Sequence, residues 1–248
     1  MPNNTEHIPT PGGGGDENID IEINIPRRDY SYLYDLIKGV AIVWGVNILA
    51  NLVGALVLKS TEISPLAFTL VATFFVMITA FAVATYFMVI KPRRSFAEGF
   101  AIRKISPVSA LGYSALAVGL AFLLNSIEPE TAQQNSPLYE ILSTTSGKIA
   151  IAALIPFASL IEEFYYRGFI LPILLKYIKP WIAIVIVAGW FAAAHIPEYA
   201  GNPFAVIAVF ALGLILTLAR YYAKSLTPSL LTHLIYNTTT IILVFLYL

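Results

Sequence analysis

The chain has 248 residues, of which 58% are hydrophobic and only 12% are charged. A typical soluble domain carries about 25% charged residues, so this composition excludes an ordinary soluble globular domain. Most of the chain is expected to use lipid as its solvent. The 15 basic and 15 acidic residues balance to a net charge of zero, and we therefore predict no nucleic-acid partner. Cysteine is absent, which excludes disulfides, thiolate metal ligands and a cysteine nucleophile.

Residues 1–29 differ in composition from the rest of the chain. They hold four consecutive glycines (Gly12–Gly15), together with prolines and acidic side chains. Such a segment cannot bury a hydrophobic core, so we predict a disordered, acidic and glycine-rich tail in which His7 has no functional part. The tail lacks a basic start followed by an apolar run and is not predicted to be a signal peptide. Residues 30–248 are expected to form one helical domain.

Seven long apolar runs follow the tail, separated by short polar links. They lie at 37–58, 65–90, 107–127, 149–175, 181–195, 203–220 and 228–248. A helix needs about 20 residues to cross the hydrocarbon layer, and six of the runs reach or nearly reach that length. Runs of this length without alternating polarity predict helices rather than barrel strands. The predicted fold is all-α, a polytopic transmembrane bundle of seven helices, or eight if the fourth run splits near Gly168 and Pro172.

Four of these runs begin with a polar residue followed by proline. This pairing is typical of a helix start, because the polar side chain caps the free backbone N–H groups and proline fits the first turn. The pairs are Ser64-Pro65, Ser106-Pro107, Asn202-Pro203 and Thr227-Pro228.

The distribution of lysine and arginine predicts the orientation in the membrane. With a cytoplasmic N-terminus and seven spans, 12 of the 15 basic residues fall in inner links, two fall in outer links and Arg167 lies within a span. The two outer residues are Lys59 and Lys148. This asymmetry is a strong positive-inside signal. We therefore predict a multi-pass protein of the cell membrane with its N-terminus in the cytoplasm and its C-terminus outside.

The polar and ionisable side chains inside the apolar runs concentrate in three places. A charge at the middle of a membrane helix costs about 2.5–3.5 kcal/mol on insertion scales, so such residues are candidates for a functional site. The candidates are Glu162, Glu163, Arg167, His195, His233 and Asn237.

The spacing within these runs predicts which candidates share a helix face. Glu163 and Arg167 are four residues apart in the favoured order, which predicts an ion pair. Glu162 points about 100° away and has no partner on its own helix, which suits a general base. His233 and Asn237 also share a face, and both can donate hydrogen bonds to a developing oxyanion. The alternative for each residue is structural, as an ion pair or a hydrogen bond between helices.

The candidate side chains lie at different predicted depths in the bilayer. Counted from the cytoplasmic helix ends, His195 lies at about 21 Å, Glu162 at about 18 Å and His233 at only about 8 Å. A tilt, a kink in the fourth run, or a link 220–227 that dips into the bilayer is expected to bring them together. We also expect a water-filled cavity open to the cytoplasm. The small residues 192–194 are expected to let a neighbouring helix approach closely.

These motifs, in this order on successive membrane helices, resemble those of the CPBP (CAAX protease and bacteriocin-processing, also called Abi) intramembrane proteases. They read Glu162-Glu163-x-x-x-Arg167, Phe191-x-x-x-His195 and His233-x-x-x-Asn237. The resemblance implies an intramembrane endopeptidase that hydrolyses a peptide bond with glutamate-activated water. The family includes endopeptidases that act on prenylated CAAX proteins. The implied partner in the bilayer is therefore a prenylated CAAX-type C-terminus or another membrane-associated peptide precursor.

The resemblance also implies a role for each motif position. Glu162 would activate the water with help from His195, while His233 and Asn237 would stabilise the oxyanion. The second glutamate and the arginine of the first motif would hold the site. The preferred mechanism needs no cofactor, since the chain has no H-E-x-x-H zinc motif. A zinc ion held by Glu162, His195 and His233 remains chemically open.

Two other functions stay open from the residues alone. The first is an ion- or proton-coupled carrier that uses the glutamates and histidines as a relay, although the chain shows no internal repeat. The second is a non-catalytic immunity or scaffold protein of the membrane, which would not need the glutamates.

Overall fold

The structure is a computed structural model that describes residues 30–60, 64–127, 134 and 137–247. The predicted tail at 1–29 lies outside the described residues. Within the described parts of the chain every regular element is helical, which confirms the all-α fold class.

The helices follow the predicted apolar runs in chain order. The α-helices are α1 (Ser31–Ser60), α2 (Pro65–Thr85), α3 (Phe96–Gly99), α4 (Pro107–Ile127), α5 (Pro137–Leu142), α6 (Thr145–Glu162), α7 (Leu171–Leu174), α8 (Pro180–Ala194), α9 (Pro203–Ala223) and α10 (Thr227–Tyr247). Two π-helical segments continue them, π1 (Tyr86–Ile90) after α2 and π2 (Glu163–Ile170) between α6 and α7. The fourth run is therefore one continuous helical rod with an irregular middle.

Five helical stretches of the described chain are long and apolar enough to cross a membrane. They are Ser31–Lys59, Ala67–Ile90, Thr145–Leu174, Pro203–Ala223 and Thr227–Leu246. The predicted third span corresponds to α4, in which Ala110–Leu124 is an apolar stretch, and the predicted fifth span corresponds to the 15-residue helix Pro180–Ala194. The protein is an integral membrane protein, and the predicted count of seven or eight spans is not confirmed.

The predicted helix starts are largely those observed. Three helices (α2, α4 and α9) begin at the predicted prolines. The Asn202 side chain caps α9, since its Oδ1 accepts a hydrogen bond from the backbone N of Ala205 at 3.1 Å. The last helix, α10, begins one residue earlier than predicted, at Thr227. The Ser225 hydroxyl accepts a hydrogen bond from the Thr227 backbone N at 3.3 Å and so satisfies that first helical N–H.

The bundle leaves large apolar side chains on its outer faces. Leu56 is 70% exposed, Phe157 66% and Leu123 60%, and these residues lie on three different helices. A soluble monomer rarely exposes continuous apolar surface on this scale. In a bilayer such faces contact lipid tails at no comparable cost, which agrees with the five apolar helices.

The predicted irregularity near Gly168 is the π2 segment. A π-helix is rare and occurs mostly at functional sites, because it inserts an extra residue into the helical ladder. A Cβ atom on Gly168 would lie 2.7 Å from Cδ1 of the fully buried Phe100. Glycine therefore allows the aromatic ring that follows α3 to pack directly on the π-helical backbone.

The link between α9 and α10 is buried inside the bundle. Ser225 is 1% exposed and Leu226 is fully buried. The Leu226 backbone N donates a hydrogen bond to the Ala101 carbonyl at 3.1 Å, which ties the link to the segment after α3. The start of α10 therefore packs inside the bundle rather than on its surface.

Candidate active site

Three helices bring the candidate residues to one place in the bundle. Glu162 ends α6, His195 caps the C-terminus of α8, and His233 lies in the second turn of α10. The Glu162 Oε1 atom is 3.9 Å from His195 Nε2, and its Oε2 atom is 3.7 Å from His233 Nε2. These distances are longer than direct hydrogen bonds, and a water bound at the carboxylate could bridge to either ring.

The three side chains differ in their exposure. The Glu162 side chain is 20% exposed and that of His195 is 17%, whereas that of His233 is only 2% exposed. The carboxylate and one imidazole therefore face a partly open space, and the second imidazole lines it from within the protein. A general base needs this combination of access and positioning.

The predicted ion pair between Glu163 and Arg167 is present and fully buried. The Arg167 Nη1 donates to Glu163 Oε1 at 2.8 Å, and both side chains have no exposed surface. Nη2 donates to the Gly213 carbonyl at 3.1 Å, and Nε donates to the Thr217 hydroxyl at 3.2 Å. All three guanidinium nitrogens therefore have partners, which a buried arginine needs to offset its desolvation. These bonds join π2 to α9.

The second histidine is oriented by the buried glutamate. His233 Nδ1 is 2.9 Å from Glu163 Oε1. An ionised carboxylate only accepts hydrogen bonds, so Nδ1 carries the proton of this contact. The ring then directs its Nε2 at Glu162, because the two imidazole nitrogens lie on opposite sides of the ring. Neighbouring glutamates thus contact the two nitrogens of one histidine.

The first histidine is oriented by a backbone carbonyl of its own helix. His195 Nδ1 is 2.7 Å from the Phe191 carbonyl oxygen. A carbonyl is an acceptor, so Nδ1 again carries the hydrogen and Nε2 faces Glu162. When the His195 ring is neutral, its Nε2 has a free lone pair and can accept a hydrogen bond from water.

The candidate amide on α10 is attached to α6. The Asn237 Nδ2 donates to the Ser159 hydroxyl at 2.8 Å, and this hydroxyl donates to the Ile155 carbonyl at 2.8 Å. Ser159 lies one helical turn before Glu163, so the bond fixes α10 beside the first motif. One amide hydrogen of Asn237 remains, and the oxyanion role of this residue stays a prediction.

The aromatic residue of the second motif lies among the charged groups. The Phe191 ring is 4.5 Å from Arg167 Cζ, within cation–π range. The centroid of this ring lies 4.6 Å from the centroid of His195 and 5.8 Å from that of His233. At 1% exposure, Phe191 is a rigid wall of the site.

The sequence analysis missed several residues that support the site. They are Ser159, Gly213 and Thr217, together with the ring contacts of Phe191. One signal was available, because Gly213 and Thr217 are four residues apart and share a face of an apolar helix. A buried arginine on a neighbouring helix requires such acceptors.

The close helix approach involves residues other than the predicted alanines. Ala192 is buried, whereas Ala193 and Ala194 are exposed. The tightest contact is one turn earlier, where a Cβ on Gly213 would lie 3.2 Å from Ala188 Cα. Small residues permit the approach of α8 and α9 as expected, but at a different position.

The described residues do not offer a metal-binding cluster. Within this part of the chain no group of three histidine, cysteine, aspartate or glutamate side chains has an arrangement that could hold a metal ion. The open set was Glu162, His195 and His233, in which different carboxylate oxygens face the two rings. The zinc site that the resemblance left open stays a prediction, and we derive no step through a metal.

Comparison with known proteins gives one family match. Residues 144–239 match the family model described as type II CAAX prenyl endopeptidase Rce1-like. No curated protein matches the chain, and no solved structure matches it. The matched stretch begins at the cap of α6, ends within α10 and contains all three motifs. The match confirms the resemblance carried by these motifs and places this stretch of the chain in the CAAX protease-like family.

Proposed function

We propose that the protein is an intramembrane endopeptidase that hydrolyses a peptide bond in a lipidated or otherwise membrane-associated substrate. The observation that carries the proposal is the Glu162 carboxylate, which faces Nε2 of both His195 and His233 within 4 Å. The family match supports a protease, and the apolar helices support a reaction within the membrane. A prenylated CAAX-type C-terminus is the substrate class that the matched family favours.

In the proposed reaction, Glu162 and His195 activate a water. The water donates one hydrogen bond to the carboxylate and one to the free lone pair of His195 Nε2. The Glu162 carboxylate takes the first proton as the water oxygen attacks the peptide carbonyl. The protonated carboxyl then gives this proton to the amine that leaves, so the sum of the reaction is peptide plus water to acid plus amine.

In the same reaction, His233 stabilises the oxyanion. As an imidazolium it donates from Nδ1 to Glu163 and presents its Nε2–H to the developing charge. Asn237 can add its remaining amide hydrogen as a second donor. Two carboxylates, the Arg167 guanidinium and the His233 imidazolium then sum to zero charge. A buried site without net charge avoids the large penalty of an uncompensated ion.

A cleavage assay tests the proposal. The purified protein is given a quenched prenylated peptide, and the wild type is compared with Glu162→Gln, His195→Ala and His233→Ala. We expect Glu162→Gln to lower the rate about 10²–10⁴-fold, the usual contribution of a general base. Glu140→Gln is the matched control, because Glu140 is an exposed carboxylate on α5. Cleavage that survives all three site substitutions would refute the proposal.

A chelator series in the same assay tests the metal-free mechanism. We expect cleavage to be unchanged by chelators, because the proposed chemistry uses only side chains and water. Activity that disappears in chelator and returns with zinc would contradict this mechanism, while the assignment of Glu162 as a site residue would stand.

A further inference from the structure

A second polar feature lies away from the candidate active site, between the end of α9 and the segment that follows α3. It is a cleft of about 470 Å³. We call it the basic cleft, and it is lined by Ala101, Arg103, Arg220, Tyr221, Tyr222 and Lys224.

Among the residues that the structure describes, the basic cleft collects three positive charges without an acidic neighbour in its lining. No acidic side chain lines it, and in the described part of the chain Arg103, Arg220 and Lys224 have no ion-pair partner. The Arg220 Nε is buried and has no hydrogen-bond partner. Such a group costs free energy until it finds an acceptor. The cluster is therefore suited to an anion that accepts several hydrogen bonds.

The walls of the basic cleft are fixed to each other. The Arg103 backbone N donates to the Ser225 hydroxyl at 3.3 Å, and the Thr227 hydroxyl donates to the Arg103 carbonyl at 2.8 Å. Both walls hold a non-glycine residue in the left-handed region, Ala101 with φ 51° and Lys224 with φ 51°. This strain persists only where the surroundings determine the backbone. The cations are thus displayed from a rigid frame.

We propose that the basic cleft binds the phosphate of an anionic membrane phospholipid. Arginine offers a planar fork that matches phosphate oxygens, and lysine adds a point charge. The cleft lies at the end of an apolar helix suited to span the membrane, and Tyr222 beside it is 69% exposed. Exposed tyrosines at helix ends are typical of the headgroup region, and basic pockets between helices bind lipid headgroups. The inference does not depend on the proposed peptidase activity.

Lipid titration of the full chain in detergent tests the proposal. Phosphatidylglycerol is added against phosphatidylcholine, with retained lipid measured by native mass spectrometry and the unfolding temperature measured in parallel. We expect phosphatidylglycerol to bind saturably and to raise the unfolding temperature. Arg220→Gln should weaken this binding about tenfold, the effect of one lost charge-assisted hydrogen bond.

Two further variants ensure that the test does not depend on whether the Arg220→Gln variant folds. Lys224→Asn removes a charge from the cleft and retains a residue that tolerates the left-handed region, so we expect a similar loss of binding. Lys104→Gln is the matched control, since Lys104 neighbours Arg103 but does not line the cleft. If Arg220→Gln does not fold, Arg220→Lys replaces it and should also weaken binding, because lysine lacks the fork.

The outcomes separate a lipid from a soluble phosphate and from general charge attraction. If glycerol phosphate alone binds with the affinity of the lipid, the ligand is a soluble phosphate ester and the lipid proposal is wrong. The lipid proposal would also be wrong if Lys104→Gln weakened phosphatidylglycerol binding as much as the cleft variants do, or if phosphatidylglycerol did not bind saturably. Selective loss in the cleft variants supports it.

Discussion

Glu162 and Glu163 are adjacent in the chain, but their carboxyl groups meet different surroundings. Glu163 is fully buried and shared between Arg167 and His233. Glu162 is partly exposed, and Nε2 of His195 and Nε2 of His233 face it beyond direct hydrogen-bond distance. A carboxylate with such partners is held in place for stability, whereas one that faces open space can exchange a proton with water. In the proposed mechanism Glu163 therefore supports the site, and Glu162 carries out the chemistry.

We predict that Glu163→Gln destabilises the protein by about 3–5 kcal/mol, because it leaves Arg167 as a buried charge without its partner. Glu162→Gln should destabilise the protein much less, since the Glu162 carboxylate is 20% exposed and lies beyond direct hydrogen-bond distance of both histidines. Denaturant or thermal unfolding in detergent measures both. The double variant Glu163→Gln with Arg167→Met should lose less than the sum of the single changes. Equal stability of the two glutamine variants would contradict the assignment.

We predict that Phe191→Leu lowers kcat about tenfold with little change in KM. The substitution removes the cation–π contact with Arg167 and the ring contacts that hold both histidines, but it leaves the His195 backbone acceptor in place. Phe157→Leu is the matched control on the lipid-facing surface. An altered KM with an unchanged kcat and pH profile would mean that Phe191 contacts substrate rather than positioning the histidines.

At this scale the sequence identified the ionisable residues and the Asn237 amide of the candidate site but not their hydroxyl partners. Charge in an apolar run is conspicuous because lipid makes it costly, so Glu162 and Arg167 could be found without a structure. Ser159 and Thr217 carry only hydroxyl groups, which are common in membrane helices and often bond their own backbone. Their contacts depend on how α6, α9 and α10 pack, and no spacing within one helix reports that.

At the scale of elements, the π2 segment decides how the first motif faces its partners. A π-helical turn holds an extra residue and therefore changes the direction of the side chains that follow it. Glu163 and Arg167 both lie in the π2 segment and form their ion pair there, whereas Glu162 precedes the segment. The sequence indicated an irregularity from Gly168 and Pro172. It could not define a π-helix, because a run that is apolar nearly all round has no periodicity in which one inserted residue would be visible.

We predict that Gly168→Ala destabilises the protein by about 1–3 kcal/mol, as expected for overpacking. The new methyl group would lie 2.7 Å from the buried ring of Phe100, which has no space to move away. Gly119→Ala is the control, because a Cβ there meets nothing within 4 Å. It should instead stabilise α4 by about 0.4–1 kcal/mol. Unfolding midpoints of the two variants that shift in the same direction would contradict this account.

We predict that the cap of α3 weakens in acid. The hydrogen bonds from the Ser95 side chain and backbone N lower the pKa of Glu98 below its ordinary value of 4.5. A carboxylate with a lowered pKa stabilises the folded state above its unfolded pKa. That stabilisation is lost as the pH falls through the folded pKa. Infrared titration of labelled glutamate should show this group, and Ser95→Ala should return it towards 4.5. An unchanged titration in Ser95→Ala would contradict the capping role.

At the scale of the whole molecule, composition alone determined the class of the protein, because 58% hydrophobic residues require lipid contact. The depths of the site residues could not be obtained this way. A count along each helix assumes that every helix starts at the membrane surface, whereas the buried Ser225 and Leu226 pack the link before α10 inside the bundle. The number of spans also does not follow from composition, since α8 is apolar but has only 15 residues.

Our last prediction concerns the number of membrane spans and the orientation of the protein. Both can be tested by single-cysteine labelling, because the sequence has no cysteine. With a cytoplasmic N-terminus, seven spans place Ser146 outside, whereas five spans without α4 and α8 place it inside. We expect Ser146→Cys, at an exposed position in the first turn of α6, to react with an impermeable maleimide in intact cells. Lys104→Cys is the control, because both counts keep it inside and unlabelled. A protected Ser146→Cys would support five spans, and a labelled Lys104→Cys would reverse the orientation.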